Sequence, residues 1–177
     1  YKKGAHKEKA GKVRHVLFSL ERALETQPSP KMARIHPKEI HAEHIVPQNT
    51  DGLLIEEDGH GCFIWPVSES DDDGKVAGRK FIKIHKRYIH SLGNKCILDD
   101  SVNSSIKDLN PASKFSIKIN NVEQPFKNSE FLTARAAHEI WQSAYDKIRV
   151  PPDWGPAEME ELSKLYMQKL IEFYQPE

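Results

Sequence analysis

Four residues have types and an order suited to hydrolysing a phosphodiester: Glu43 and His44 in HAEHIVPQ, Asn94 in HSLGNK, and Asn103 in SVNSSIK. The reaction needs a base for water, a Lewis acid at the leaving oxygen, and cations around the developing charge. A neutral imidazole near pH 7 suits the first task, which points to His44. A hard divalent ion, Mg²⁺ or in its place Mn²⁺, suits the second and prefers oxygen ligands. Glu43 offers a carboxylate and Asn103 an amide oxygen. Asn94 is expected to act on His44 itself, where a side-chain or backbone acceptor on Nδ1–H would leave Nε2 to take the proton. Lys107 and Lys114 are alternative point charges for phosphate, and one-turn spacing from Asn103 favours Lys107.

Taken singly, each residue has a plainer reading. A Glu-His pair is an ordinary surface pair, Asn94 after Gly93 marks a turn, and Asn103 starts a helix. Their order is what carries the chemistry. His41 shares a strand face with Glu43 and reads as a supporting histidine. His90 divides between a structural hydrogen bond and a phosphate contact. His36, His60 and His85 read as surface residues, and His138 as structural. Trp65, Trp141 and Trp154 read as packing anchors, and Asp71 to Asp73 as a solvated loop.

The elements around these residues follow from periodicity. Val13, Val16, Leu17, Leu20 and Leu24 predict an amphipathic helix ended by Pro28 and Pro30. Ile40 to Val46 predicts a short strand stopped by Pro47. Neighbours on a regular strand face opposite ways, so Glu43 and His44 reach one phosphate only if the strand ends or twists there. GLLIEEDG and GCFIWPV predict two β segments around a glycine-rich turn, and SESDDDGKVAG a polar loop. RKFIKIHKRYIHSL fits helix or strand. KCIL predicts a strand, followed by a helix that starts at Asp99 to Ser101, contains Val102, Ile106 and Leu109, and has Pro111 near its end. Phe131 to Ile148 and Pro156 to Tyr174 predict two further helices separated by PPDWG.

Lys+Arg and Asp+Glu both number 26 in 177 residues, so net charge says nothing about nucleic acid, but its distribution does. Between Lys75 and Lys95 there are seven cations and no acid. Lys80, Lys83, Lys86, Arg87 and Lys95, with His90, are therefore the candidate DNA contacts. Two cysteines at unrelated positions exclude a disulfide scaffold and a zinc knuckle, and point to a reduced, cytoplasmic compartment. No membrane span and no apolar signal segment is visible. The polar start without Met points to a C-terminal fragment of a longer protein.

The series EHIVPQ, then GN, then Asn with a downstream Lys resembles the HNH branch of the His-Me finger, or ββα-metal, nucleases. More narrowly, EHIVPQ, HSLGNKCIL, NSSIKDLNPASKF and the terminal WGPAEMEELSKLYMQKLIEFY resemble the C-terminal nuclease domain of GmrSD-type modification-dependent restriction enzymes. The resemblance implies that Glu43 and Asn103 bind metal, His44 is the base, and Asn94 shapes its loop. It places the family lysine on Lys114. It also implies an N-terminal nucleotide-hydrolysing domain or partner subunit, a role against phage DNA, and a 5′-phosphate product. Two departures are a Glu where HNH nucleases at large carry Asp, and the missing zinc cysteines of some members.

The expectation is an α+β fold, one domain over residues 1–177. A ββα-metal core lies at about 40–115 and C-terminal helices at about 130–175. The function expected is metal-dependent endonucleolytic hydrolysis of DNA. The alternatives are a catalytically silent DNA-binding or regulatory module and an RNA-directed nuclease.

Overall fold

The computed structural model describes residues 2–26, 34–36, 41–47, 56–57, 62–70, 76–106, 109, 111–116, 118–119, 122–148 and 154–175. The side chains of 2–10, 56–57, 62–70, 76–87, 118–119, 122–123 and 148 lie outside that description. The fold is α+β. Helix α1 (Lys2–Leu24) is followed by strand β1 (His41–His44), then by β2 (Glu56–Glu57), β3 (Cys62–Ser70) and β4 (Val76–His85). The short helix α2 (Lys86–Ile89) and a 3₁₀ turn (Leu92–Asn94) lead into β5 (Lys95–Leu98), α3 (Asp100–Ile106) and α4 (Pro111–Ser116). The chain continues through β6 (Lys118–Ile119), β7 (Val122–Glu123), α5 (Leu132–Ile148) and α6 (Pro156–Tyr174).

β1 pairs antiparallel with β5, from His41 opposite Leu98 to His44 opposite Lys95, and α3 packs against β1. That is the expected ββα unit. The separate antiparallel sheet β2-β3-β4 lies in the sequence between its two strands.

Helices cover the unit because their apolar residues recur at 3.6-residue spacing. α1 buries Leu17 and Leu20, α5 buries Ala134, Ala137 and Trp141, and α6 buries Met159, Leu162 and Tyr166. The core centres on Phe115 of α4, whose ring stacks on Trp141 at 5.2 Å and tilts against Phe126 and Trp154. Trp141 and Trp154 are thus packing residues, while the side chain of Trp65 lies outside the described residues. Gly155 begins α6, where its N–H donates to the Glu158 carboxylate at 2.9 Å and Pro156 supplies a pre-set φ.

Buried polar groups join these layers. The Glu21 carboxylate on α1 accepts from the Leu132 and Thr133 amides and from the Thr133 hydroxyl, at 2.7, 2.8 and 2.5 Å. It thereby caps α5 from another helix. Thr133 Oγ1 in turn accepts from Ile97 N at 2.9 Å, so one hydroxyl ties α1 and α5 to β5. Tyr166 of α6 donates to the Thr133 and Lys95 carbonyls.

Several local expectations differ from the structure. RKFIKIHKRYIHSL is both predicted types, strand to His85 and helix from Lys86. The polar run after Val67 is strand at each end, because β3 and β4 pair through Ser68, Glu69, Gly78 and Val76. α3 stops at Ile106, and Pro111 begins α4 instead of closing α3, since proline fits a helix's first turn but not its interior. Val16, expected on an apolar face, is exposed.

Candidate active site

The site forms where β1 ends. The register runs regularly to His44, and alternation then assigns the two candidate residues to opposite faces. His44 lies across from Lys95, and Glu43 across from Cys96. Beyond His44 the chain bends through Ile45 and Val46.

Asn94 holds that bend. Its backbone carbonyl accepts from Ile45 N at 3.0 Å, and its Oδ1 accepts from Val46 N at 2.8 Å. Its Nδ2 donates to the carbonyls of Val46 and Ile89, both at 3.0 Å. With both amide protons and Oδ1 engaged this way, the fully buried Asn94 locks the loop that follows the histidine. These contacts lie on the backbone beside His44, where an acceptor for its ring N–H had been expected. Gly93 fits beneath α6, where an added Cβ would meet the Met159 carbonyl oxygen at 1.8 Å, and its own carbonyl accepts from Trp154 Nε1 at 3.1 Å.

His44 Nε2 is buried and has no hydrogen-bond partner. Burial drives the imidazole pKa down to about 3, helped by the positive charge of Lys95 and by His90 and Lys114. The ring is therefore neutral at any physiological pH. The His90 ring stands perpendicular to it at 6.3 Å and is exposed. Burial, then Lys95, lowers the pKa of His90 as well.

Asn103 sits in α3 with its backbone N–H on Asp99 O at 2.8 Å. Its Oδ1 is likewise buried without a hydrogen-bond partner. Among the described residues only His44, Asn103 and His138 carry such an atom. Two of these three are sequence-predicted site residues, one on β1 and one on α3, elements that pack against each other. His41 Nδ1 stands 3.6 Å from Asp100 Oδ1 across the same β1–α3 junction, which suits a supporting role.

The cations are placed differently from the expectation. Lys95, a candidate DNA contact, is buried, and its Nζ donates to the His90 and Ser91 carbonyls at 2.5 and 2.9 Å. Burial lowers its pKa to about 8. Lys114, a candidate phosphate contact, is fully buried; its Nζ donates to Glu43 Oε1 and, at 2.6 Å, to the His44 carbonyl. Glu43, a candidate metal ligand, is therefore an ion-pair partner here. Lys107 lies outside the described residues. Lys80 and Lys83 belong to β4, and Lys86 and Arg87 to α2, but their side chains lie outside the description.

Whether these residues suit a divalent cation turns on their donor atoms. Asn103 Oδ1 fits, as a hard oxygen whose accepting capacity no protein donor fills. Glu43 Oε1 already faces an ammonium. Among the described residues no group of three or more His, Cys, Asp or Glu gathers as a metal cluster. Sequence reasoning missed the inward role of both lysines, since nothing local marks a lysine that reaches a carboxylate 71 residues away.

A family model described as the C-terminal domain of GmrSD restriction endonucleases matches residues 1–169. No curated protein and no solved structure matches the chain. Among the described residues, no helix is long and apolar enough to cross a membrane.

Proposed function

The chain belongs to the family of C-terminal domains of GmrSD restriction endonucleases, which makes it a restriction-type nuclease; from that premise we propose a metal-dependent, HNH-type endonuclease that cuts DNA with His44 as its base. The observation that carries this reading is the pair of unpartnered buried atoms, His44 Nε2 and Asn103 Oδ1, on the strand and helix of one ββα unit. Such atoms cost stability unless something satisfies them, which supports the reading that a ligand or ordered water meets them in the working protein.

In this reading His44 Nε2 takes a proton from a water molecule as its oxygen attacks phosphorus. The bond from phosphorus to the 3′ oxygen breaks, leaving a 5′-phosphate and a 3′ oxygen that takes a proton from water to become a hydroxyl. Asn103 Oδ1 would hold Mg²⁺ or Mn²⁺, which when bound supplies positive charge at the leaving oxygen. Asn94 keeps the bend after His44 fixed, which holds the base near attack geometry. His90 and the basic residues Lys80, Lys83, Lys86 and Arg87 are proposed to meet the phosphate backbone. The low pKa of His44 belongs to the free protein; a docked phosphate places negative charge beside the ring and raises it toward the range useful for a base. An N-terminal nucleotide-hydrolysing domain or subunit and an anti-phage role are proposed from family membership.

The test is a plasmid-nicking assay with Mg²⁺ or Mn²⁺, with and without chelator. Wild type should nick, and chelator, His44→Ala and Asn103→Ala should each lower the rate by about 10²-fold or more. Equal cutting by His44→Ala would sink the base assignment. Metal-dependent DNA binding without cutting would support a silent binding module instead.

A further inference from the structure

We infer that Glu43 and Lys114 form a positioning device for His44, a clamp on the main chain that carries the base, and that Glu43 is not a metal ligand. The inference rests on the reading of His44 as the base and concerns how the base is held.

Register comes first. Ile45 N donates to Asn94 O, so positions 45 and 94 form a hydrogen-bonded pair. Antiparallel ladders alternate, which makes 44 and 95 a non-bonded pair and turns the His44 carbonyl away from β5. Among the described residues β1 has no second strand neighbour in its sheet, so that carbonyl would stand on an open edge. Lys114 Nζ takes it at 2.6 Å. The same ammonium meets the Glu43 carboxylate, which is only 3% exposed. One group thus binds the backbone of the base and the side chain of the residue before it.

The two sides of the bend are held separately. Asn94 grips Ile45 and Val46 from the β5 side, and Lys114 grips His44 from the outer edge. Lys114 is itself well anchored, since the next residue, Phe115, is the centre of the aromatic core. A lysine with no exposed surface does not reach a phosphate in solution. A charge so deeply buried is unfavourable unless paired, and Lys114 and Glu43 meet that need for each other. This mutual need gives the acidic residue of the first motif a use other than metal ligation.

The experiment uses the full chain with Lys114→Met, Lys114→Arg, Glu43→Gln and the double variant Glu43→Gln with Lys114→Met, which avoids a lone buried charge. Mn²⁺ binding is measured by electron paramagnetic resonance, and amide hydrogen exchange is followed at Ile45 and Val46. In the double variant Mn²⁺ affinity should stay within about 3-fold of wild type, while exchange at Ile45 and Val46 rises about 10-fold or more relative to α5. Kinetically, kcat should fall about 10- to 100-fold with KM for plasmid DNA little changed, and Lys114→Arg should recover part of kcat.

A drop of 10-fold or more in Mn²⁺ affinity for Glu43→Gln would make Glu43 a metal ligand and overturn the inference. A raised KM with unchanged kcat in Lys114→Met would make Lys114 a phosphate contact and overturn it too, as would unaltered exchange in the double variant. Failure of wild type to cut any plasmid defeats the nuclease reading instead, and the binding and exchange measurements still decide the clamp.

Discussion

His44 shows how much a residue's surroundings change its chemistry. An ordinary histidine gains its proton near pH 6.5, whereas here burial and the neighbouring cations hold the value at about 3. Two outcomes follow from the sign of that shift. Between about 6.5 and 3 the unfolded chain binds a proton that the folded chain does not, so stability falls as pH drops through that window. His44→Gln should flatten this part of the stability curve, measured by urea unfolding from pH 7 to pH 4. The neutral base also persists into mild acid, so kcat/KM for plasmid nicking should hold between pH 7 and pH 5 where an unperturbed histidine would lose it. A fall centred near pH 6.5 would mean that the imidazole is solvated in the free protein.

The turn Leu92–Asn94 is the element on which the site most depends, because it carries both the lock on the His44 loop and the seat of α6. Gly93→Ala should destabilise by about 3 kcal/mol, since the new methyl has to displace helix backbone at the Met159 carbonyl. Asn94→Ala should cost about 2–4 kcal/mol by leaving Val46 N and the Val46 and Ile89 carbonyls without that amide. Urea midpoints for both variants test these values. Gly93-Asn94 was legible in the sequence as a turn, and Asn94 as a residue for the His44 loop. The reason for glycine was not, because it is a helix some 66 residues further along the chain. α5 and α6 were legible because their apolar residues repeat every 3.6 positions. The change from strand to helix after His85 was not, because the basic and apolar residues of that run fit both periods. Lys114 had a legible position and a hidden role: its partners are set by tertiary packing, which local spacing does not encode.

At the scale of the molecule, the ββα unit and its covering helices are joined through a buried polar path from Glu21 through Thr133 to Ile97, with Tyr166 alongside. Such a path is stabilising only when every member is satisfied. Burial raises the Glu21 pKa above its ordinary value, and the Thr133 hydroxyl, the Thr133 amide and the Leu132 amide oppose that rise. A raised acid favours the fold below its unfolded pKa of 4.5 and loses that contribution as pH climbs through the folded value. Removing the hydroxyl that steadies the charged form should raise the folded pKa further. Thr133→Val should therefore cost about 2–3 kcal/mol at pH 8, the end of the range that favours the Glu21 carboxylate, and Ile97 N–H also loses its acceptor. At pH 4 the cost should be smaller, because a protonated Glu21 depends less on that donor. Urea unfolding of wild type and variant at the two pH values measures the difference. An equal cost at both would show that the ionisation of Glu21 plays no part in holding α1, α5 and β5 together.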